Sequence, residues 1–372
     1  MKKIKQFFRG LYLLFTADLT KEDIQRLFSD ELRGMYDFYV RNMQSVEGEK
    51  NSLMRGLTFC WYLFVAFLQR LTPARRLLYA IAFGLFVMSP SGQFNVQIFI
   101  ILNLLLALEM SDKLVTRDEL EVARDIQVNL VPRELQIDGP FAVAAYSEAA
   151  RNVGGDYYDC IRLTDGSSLV VIADVSGKGI SAALYMVKVQ TALRLFARDT
   201  CDPKQLLVRL NEHLHGQMKR NYFLTILLVQ VQPDGTARVC RAGHPPALWV
   251  RCATHDSVWI QPRGVAIGMV TGGMNGGGAL FEDEYAKTVE AESLRLGEGD
   301  VLLLYTDGVI ETANRNLEEF GAKRFDALAR AFATETPERV RDRIVAGLQE
   351  FRAGAELRDD TTLLIIKRVP SA

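Results

Sequence analysis

Four short stretches of this chain place aspartate beside glycine or at the end of an apolar run. They are Gly154-Gly155-Asp156, Asp174-Val175-Ser176-Gly177-Lys178-Gly179, Tyr305-Thr306-Asp307-Gly308 and Asp359-Asp360-Thr361-Thr362. Carboxylates are hard oxygen donors, suited to Mg²⁺ or Mn²⁺ and poorly suited to soft thiophilic metals. Any one of these stretches alone reads as an Asx-type turn at a strand end. Together, with apolar runs leading in at 301–304 and out at 363–366, they describe one oxygen-rich divalent-metal site gathered from distant segments. His244, in Ala242-Gly243-His244-Pro245-Pro246, is the one histidine inside a short motif of this kind. Set between glycine and prolines, it is expected to shape its loop and not to transfer protons.

The elements that must hold these groups can be read from periodicity. Leu-Val-Val-Ile at 169–172 suits a buried strand, and Gly177 and Gly179 permit the tight turn that aims Asp174 off its end. Short strands are expected at 141–147, 157–163 and 168–173, the last two joined by a Thr-Asp-Gly-Ser turn. Helical periodicity covers 180–198 and 203–220, and a hairpin runs from 223–231 through Pro-Asp-Gly to 236–241. Strands at 247–251, 257–260, 287–296, 301–305 and 362–367, with helices at 318–333 and 337–351, complete the region. Strands in hairpins with helices grouped between them predict an α+β layered domain and exclude a doubly wound parallel sheet. The glycine-rich stretch 271–278 neither follows a strand nor opens a helix, so it is a loop and not a phosphate cradle.

A chain of 372 residues predicts two or three units. A formal net charge of -1 excludes the basic face of a nucleic-acid-binding protein. Five scattered cysteines, without a Cys-x-x-Cys pair, indicate neither a disulfide framework nor a zinc cluster, and suit a reducing cytosol. Residues 1–56 read as a helical segment and 57–110 as a hydrophobic region. Within it, 77–88 and 94–108 are expected to form a transmembrane hairpin spanning 77–108, with 57–68 lying at the interface. Arg55, Arg70, Arg75 and Arg76 all precede the hairpin, which places it in the inner membrane with the remainder of the chain in the cytoplasm. The competing reading is a water-soluble helical interface. Residues 111–135 read as a linker helix. Its stripe of Val115, Val122, Ile126 and Leu130 serves either a homodimer or packing on the domain at 136–372.

Six motifs then occur in unbroken order across 120–369. They are Ala123-Arg-Asp-Ile-Gln127 with Leu130-Val-Pro132, Gly154 to Asp159, Asp174 to Gly179, Ala242 to Pro246, Leu304 to Gly308, and Asp359 to Thr362. The set resembles the SpoIIE/RsbU-like branch of the metal-dependent PPM serine/threonine phosphatases. That resemblance implies a four-layer αββα sandwich with a two-metal site, for Mn²⁺ or Mg²⁺, at one end of the sheets. It implies hydrolysis of phosphoserine or phosphothreonine by metal-activated water, with no phosphoenzyme. Asp174 would bridge the two ions with the Val175 carbonyl facing one of them, Asp156 would hold the second ion and Asp307 the first. Asp359 would be a further ligand, and Asp360, Gly155, Gly177 and Gly308 would support the set. Arg151, five residues before Asp156, matches a phosphate-binding arginine of some relatives, although a surface ion pair accounts for it equally. Lys178 stands where some relatives carry histidine, which removes a general acid, and 271–284 is an enlarged loop. The implied partner is a phosphorylated anti-anti-sigma protein of the STAS type in bacterial partner-switching. The alternative is a membrane-tethered pseudophosphatase that binds a phosphoprotein without cleaving it.

Overall fold

The computed structural model describes residues 72–88, 94–130, 132, 135–219, 222–269 and 284–370. The helical segment expected at 1–56, the interfacial run at 57–68 and the glycine-rich loop at 271–278 lie outside these residues. The chain divides into two compact units, Met1–Leu114 and Val115–Ala372.

In the first unit, helix α1 (Pro73–Val87) opens on Pro73, whose fixed φ suits the first turn of a helix. Helix α2 (Asn95–Leu130) is 36 residues long and continuous, where the sequence suggested an apolar segment followed by a separate linker helix. Nothing in Glu109-Met-Ser-Asp112 breaks a helix, since the stretch has neither glycine nor proline. Pro132, which disfavours helical backbone at the residue before it, follows shortly after the last helical residue.

The expected transmembrane hairpin finds no support in these helices. Among the described residues, no helix is long and apolar enough to cross a membrane. The 15 residues of α1 extend about 22 Å, against a hydrocarbon core of about 30 Å. In α2 the apolar stretch runs directly into Glu109, Asp112 and Lys113.

The second unit is built on two five-stranded antiparallel sheets. One takes β1 (Phe141–Glu148), β10 (Thr361–Arg368), β9 (Val301–Tyr305), β6 (Ala247–Arg251) and β7 (Asp256–Ile260) in that spatial order. The other takes β2 (Asp156–Arg162), β3 (Ser168–Val175), β4 (Leu224–Val231), β5 (Thr236–Ala242) and β8 (Ala291–Arg295). Side-chain alternation decides what each face covers. On β3, Leu169, Val171, Ala173 and Val175 pack against helices α3 (Ile180–Phe196) and α4 (Pro203–Leu214), while Val170 and Ile172 face the other sheet. Leu302, Leu304, Leu364 and Ile366 meet them there from β9 and β10. The opposite faces of those two strands, through Leu303, Tyr305, Leu363 and Ile365, pack on helices α6 (Gly321–Phe332) and α7 (Pro337–Arg352). Three apolar layers therefore separate four layers of backbone, the αββα sandwich expected from the sequence. The strand expected over 287–296 is shorter, because residues 284–288 are helical and pairing with β5 covers only Ala291–Arg295.

Candidate active site

The alternation that buries Val170 and Ile172 between the sheets places Asp174, the next residue of that parity, at the end of the same face. Its direct cross-strand partner is Asp156. Two carboxylates facing each other on adjacent strands destabilise a sheet unless a cation accompanies them. From the other sheet, β9 delivers Thr306 and then Asp307, which opens the short helix α5 (Asp307–Ile310). The Thr306 hydroxyl donates to Asp156 Oδ2 at 2.9 Å and accepts from the Thr362 N–H at 2.9 Å, so one side chain joins the two sheets at the site.

Asp359 and Asp360 precede β10 and do different work. Asp360 accepts the Ala150 N–H at 2.8 Å and the Gly155 N–H at 2.7 Å, which pins the loop that leads into Asp156. Asp359 takes the Lys178 ammonium at 2.7 Å. Lys178 also donates to the Arg358 carbonyl, so its charge is committed to this corner. Two glycines are required by close approach. A Cβ at Gly155 would sit 2.7 Å from the Val175 carbonyl oxygen and 3.2 Å from Asp174 Oδ1, so glycine leaves both oxygens bare. One at Gly308 would sit 2.0 Å from the Asp360 carbonyl oxygen. Gly177, at φ 99°, makes the turn between Asp174 and Lys178.

Electrostatics follow from this crowding. Burial, and then the neighbouring Asp307, Asp359 and Asp360, push Asp174 up to about 7, with Lys178 opposing. Burial and the Asp174 charge hold Asp156 well above the ordinary carboxylate range. Asp307, Asp360 and Glu311 are raised as well, in each case chiefly by burial. Such a cluster of oxygen donors, short of positive charge, fits hard divalent cations. It does not form a closed cage: among the described residues, no three His, Cys, Asp or Glu side chains gather closely enough to enclose an ion. Mg²⁺ commonly takes one or two carboxylates and keeps water in its other positions, so the donors fit hydrated ions.

The remaining expected residues fall as follows. Arg151 is exposed, and no ion-pair partner for it occurs among the described residues. His244 is fully buried; burial lowers it to about 3, which keeps it neutral, and Nδ1 meets the Thr225 hydroxyl at 3.0 Å. That agrees with a loop-shaping role. Of the two uses expected for the stripe on α2, packing on the domain is not made by Val122 and Ile126. Val122 and Ile126 face solvent, and the helix meets its own domain through Gln127, whose amide donates to the Gly154 carbonyl at 2.6 Å and accepts the Gly154 N–H at 3.1 Å. Sequence reasoning missed three contributors: Gln127, Thr306 and the Lys178 pair. All of them lie inside motifs already singled out, which was the available signal.

Comparison with known proteins agrees with this geometry. The family described as stage II sporulation protein E (SpoIIE) matches residues 164–369. The chain is 28% identical over 294 residues to protein IcfG of Synechocystis, covering 71% of this chain and 43% of that protein. It is 26% identical over 257 residues to the phosphoserine phosphatase RsbU of Bacillus subtilis, covering 68% of this chain and 70% of that protein. The phosphoserine phosphatase RsbP of the same organism is 29% identical over 204 residues, which are 54% of this chain and 47% of RsbP. The chain thus spans less than half of IcfG and RsbP. Among solved structures, the SiaA-PP2C domain of Pseudomonas aeruginosa superposes with a TM-score of 0.57 at 20% identity, over 69% of this chain and 98% of that one. The RsbU and RsbW domains of Rv1364c from Mycobacterium tuberculosis give 0.53 at 27% identity, over 65% of this chain and 64% of that one. Since the family match covers more than half of the chain and takes in the strands that deliver Asp174, Asp307 and Asp359, this protein belongs to the SpoIIE family of metal-dependent PPM phosphatases.

Proposed function

We propose that the chain is a Mn²⁺- or Mg²⁺-dependent protein phosphatase acting on phosphoserine or phosphothreonine. The observation that carries this reading is the meeting of Asp156, Asp174, Asp307 and Asp359, from four separate segments, at one end of the two sheets. Asp174 and Asp156 on one sheet, Asp307 and Asp359 beside the other, and the bare Val175 carbonyl would hold two ions. When bound, such ions lower the pKa of water toward neutrality and offset charge on phosphate oxygens.

The protein's own residues supply position. Thr306 fixes the rotamer of Asp156, and Asp360 fixes the loop before it. Lys178 balances Asp359 and is held there, so the leaving serine oxygen takes its proton from solvent. Arg151, exposed and five residues before Asp156, meets the substrate beside its phosphate. Hydrolysis of the phosphate ester yields the serine or threonine hydroxyl and inorganic phosphate, with no covalent link to the protein.

The substrate in this reading is a phosphorylated STAS-type protein in the cytoplasm, supported by the likeness to RsbU and RsbP. Exposed Val122 and Ile126 support self-association through α2. Exposed Leu77, Phe83, Phe86, Val96 and Phe99 support contact of the first unit with a lipid surface. The test sets a phosphoserine protein, a phosphodiester and single-stranded nucleic acid side by side with Mn²⁺. Phosphate release from the phosphoprotein alone is expected. Cleavage of the diester, or tight phosphoprotein binding without turnover, would replace the reading with a nuclease-like enzyme or a pseudophosphatase.

A further inference from the structure

A groove leads away from the carboxylate end of the molecule. Its inner part, about 210 Å³, is walled by Lys178, Gly308, Glu311 and Asp359. Its outer part, about 620 Å³, is walled by Arg151, Arg315 and Arg358, with Glu356 opposing them. Leu317, Glu356, Leu357 and Arg358 belong to both walls, so the two parts are continuous. The charge changes along it. In the inner part Glu311, Glu319, Glu356 and Asp359 slightly outnumber Lys178, Arg352 and Arg358, whereas three guanidinium groups against one carboxylate leave the outer part positive. Among the described residues, none of these three arginine side chains has an ion-pair partner.

Leu317 stands where the two parts join. It is 65% exposed and holds φ at 65°, a left-handed backbone that disfavours a leucine. Asn314 enforces the conformation. Its side-chain oxygen accepts the Asn316 and Glu318 N–H groups at 2.9 and 3.1 Å, and its carbonyl accepts the Leu317 N–H at 3.0 Å. Strain kept in place to hold an apolar side chain in water is a mark of a contact surface. Arginine, of which three line this part, is enriched among the residues that dominate interface energetics.

We propose that the outer groove docks an acidic segment of the substrate protein flanking its phosphorylated residue. Arg315, Arg358 and Arg151 face the carboxylates of that segment, Leu317 contacts an apolar side chain within it, and the phosphate lies at the inner end. The proposal rests on the phosphatase reading and fixes the class of substrate that the site accepts.

The full chain with Mn²⁺ is assayed on two synthetic phosphoserine peptides, identical except that the phosphoserine is flanked by glutamates in one and by glutamines in the other. The glutamate peptide should be favoured in kcat/KM by about tenfold, equivalent to one or two charge-assisted contacts. The preference should shrink as salt is raised. Arg315→Glu with Arg358→Glu should abolish it, and the milder Arg315→Gln with Arg358→Gln should reduce it. Arg295→Glu, on the distant edge strand β8, should leave it intact. Equal kcat/KM for the two peptides in the wild type, or an unchanged preference in the charge-reversed variant, overturns the docking proposal. Fluorescence anisotropy with the unphosphorylated glutamate peptide reads docking without turnover. A chain that binds this peptide through Arg315 and Arg358 yet releases no phosphate from either substrate keeps the groove and loses the phosphatase reading.

Discussion

Asp174 keeps its proton up to about pH 7 because it is buried among Asp307, Asp359 and Asp360. In the unfolded chain the same carboxyl ionises near its ordinary value of 3.8. Between those two values the folded state binds more protons than the unfolded state, so metal-free stability falls as pH rises through that window. Asp156, Asp307 and Asp360 are shifted in the same direction and add to the effect. A divalent cation competes with those protons and should stabilise most where they have left. Thermal unfolding with chelator and with Mn²⁺, at about pH 5.5 and about pH 8, checks this. The Mn²⁺-induced rise in Tm should be larger at the higher pH; a larger rise at the lower pH would show that the cation binds elsewhere. The metal-ligand candidates were legible because each aspartate sits beside glycine or at a strand end. Their supports were not. Thr306 reaches Asp156 across 150 positions of sequence, and Lys178 meets Asp359 from the far end of the domain. No local pattern encodes such pairings.

At the scale of elements, period-two alternation located nearly every strand, and helical period located α3, α4, α6 and α7. The failures have physical causes. Nothing between 109 and 112 interrupts α2, and of the two uses read for its stripe, packing on the domain is not made by Val122 and Ile126, because Gln127, a polar residue, makes the contact with the Gly154 loop. Gln127→Ala should lower turnover by about tenfold with Tm nearly unchanged, since it frees the loop leading to Asp156 while water from the adjoining cavity takes over the Gly154 backbone groups. The exposed control Ile126→Asp should leave Tm unchanged as well. Equal turnover for wild type and Gln127→Ala would reduce the clamp to a surface contact. A second tie holds β2 to α3. The fully buried Asp159 accepts Arg194 Nε at 2.6 Å and Nη2 at 2.9 Å, and the Tyr157 hydroxyl at 2.6 Å. Arg194→Ala should destabilise the fold by roughly 2 kcal/mol, below the range for a wholly buried pair because Arg194 is half-exposed. Denaturant titration measures it, and a change under about 0.5 kcal/mol would mean that Asp159 recovers a partner.

Among the described residues, the two units differ in how far their apolar side chains are gathered into a core. In Val115–Ala372 three cores are closed. In the first unit Leu77, Phe83, Phe86, Val87, Val96, Phe99 and Ile100 stand exposed on α1 and α2. Apolar surface of that extent marks a contact site. The 372-residue chain without detergent should therefore pellet or form large assemblies in sedimentation velocity, while 115–372 should form nothing larger than a dimer through α2. A dispersed monomer of that length would mean that the remainder of the chain covers these side chains. The fold class was legible from the order of hairpins and helices, and the membrane expectation was not sustained because apolar composition alone does not give the continuous length a span requires.

The central claim is that Asp174 holds divalent cations for phosphate-ester hydrolysis. Phosphate release from a phosphoserine protein by the full chain, titrated with Mn²⁺, tests it in wild type and Asp174→Asn. Removing one carboxylate charge from the pair facing Asp156 should raise the Mn²⁺ concentration needed and lower turnover by at least about two orders of magnitude, with far-ultraviolet circular dichroism unchanged. Near wild-type turnover of folded Asp174→Asn at saturating Mn²⁺ would contradict the account.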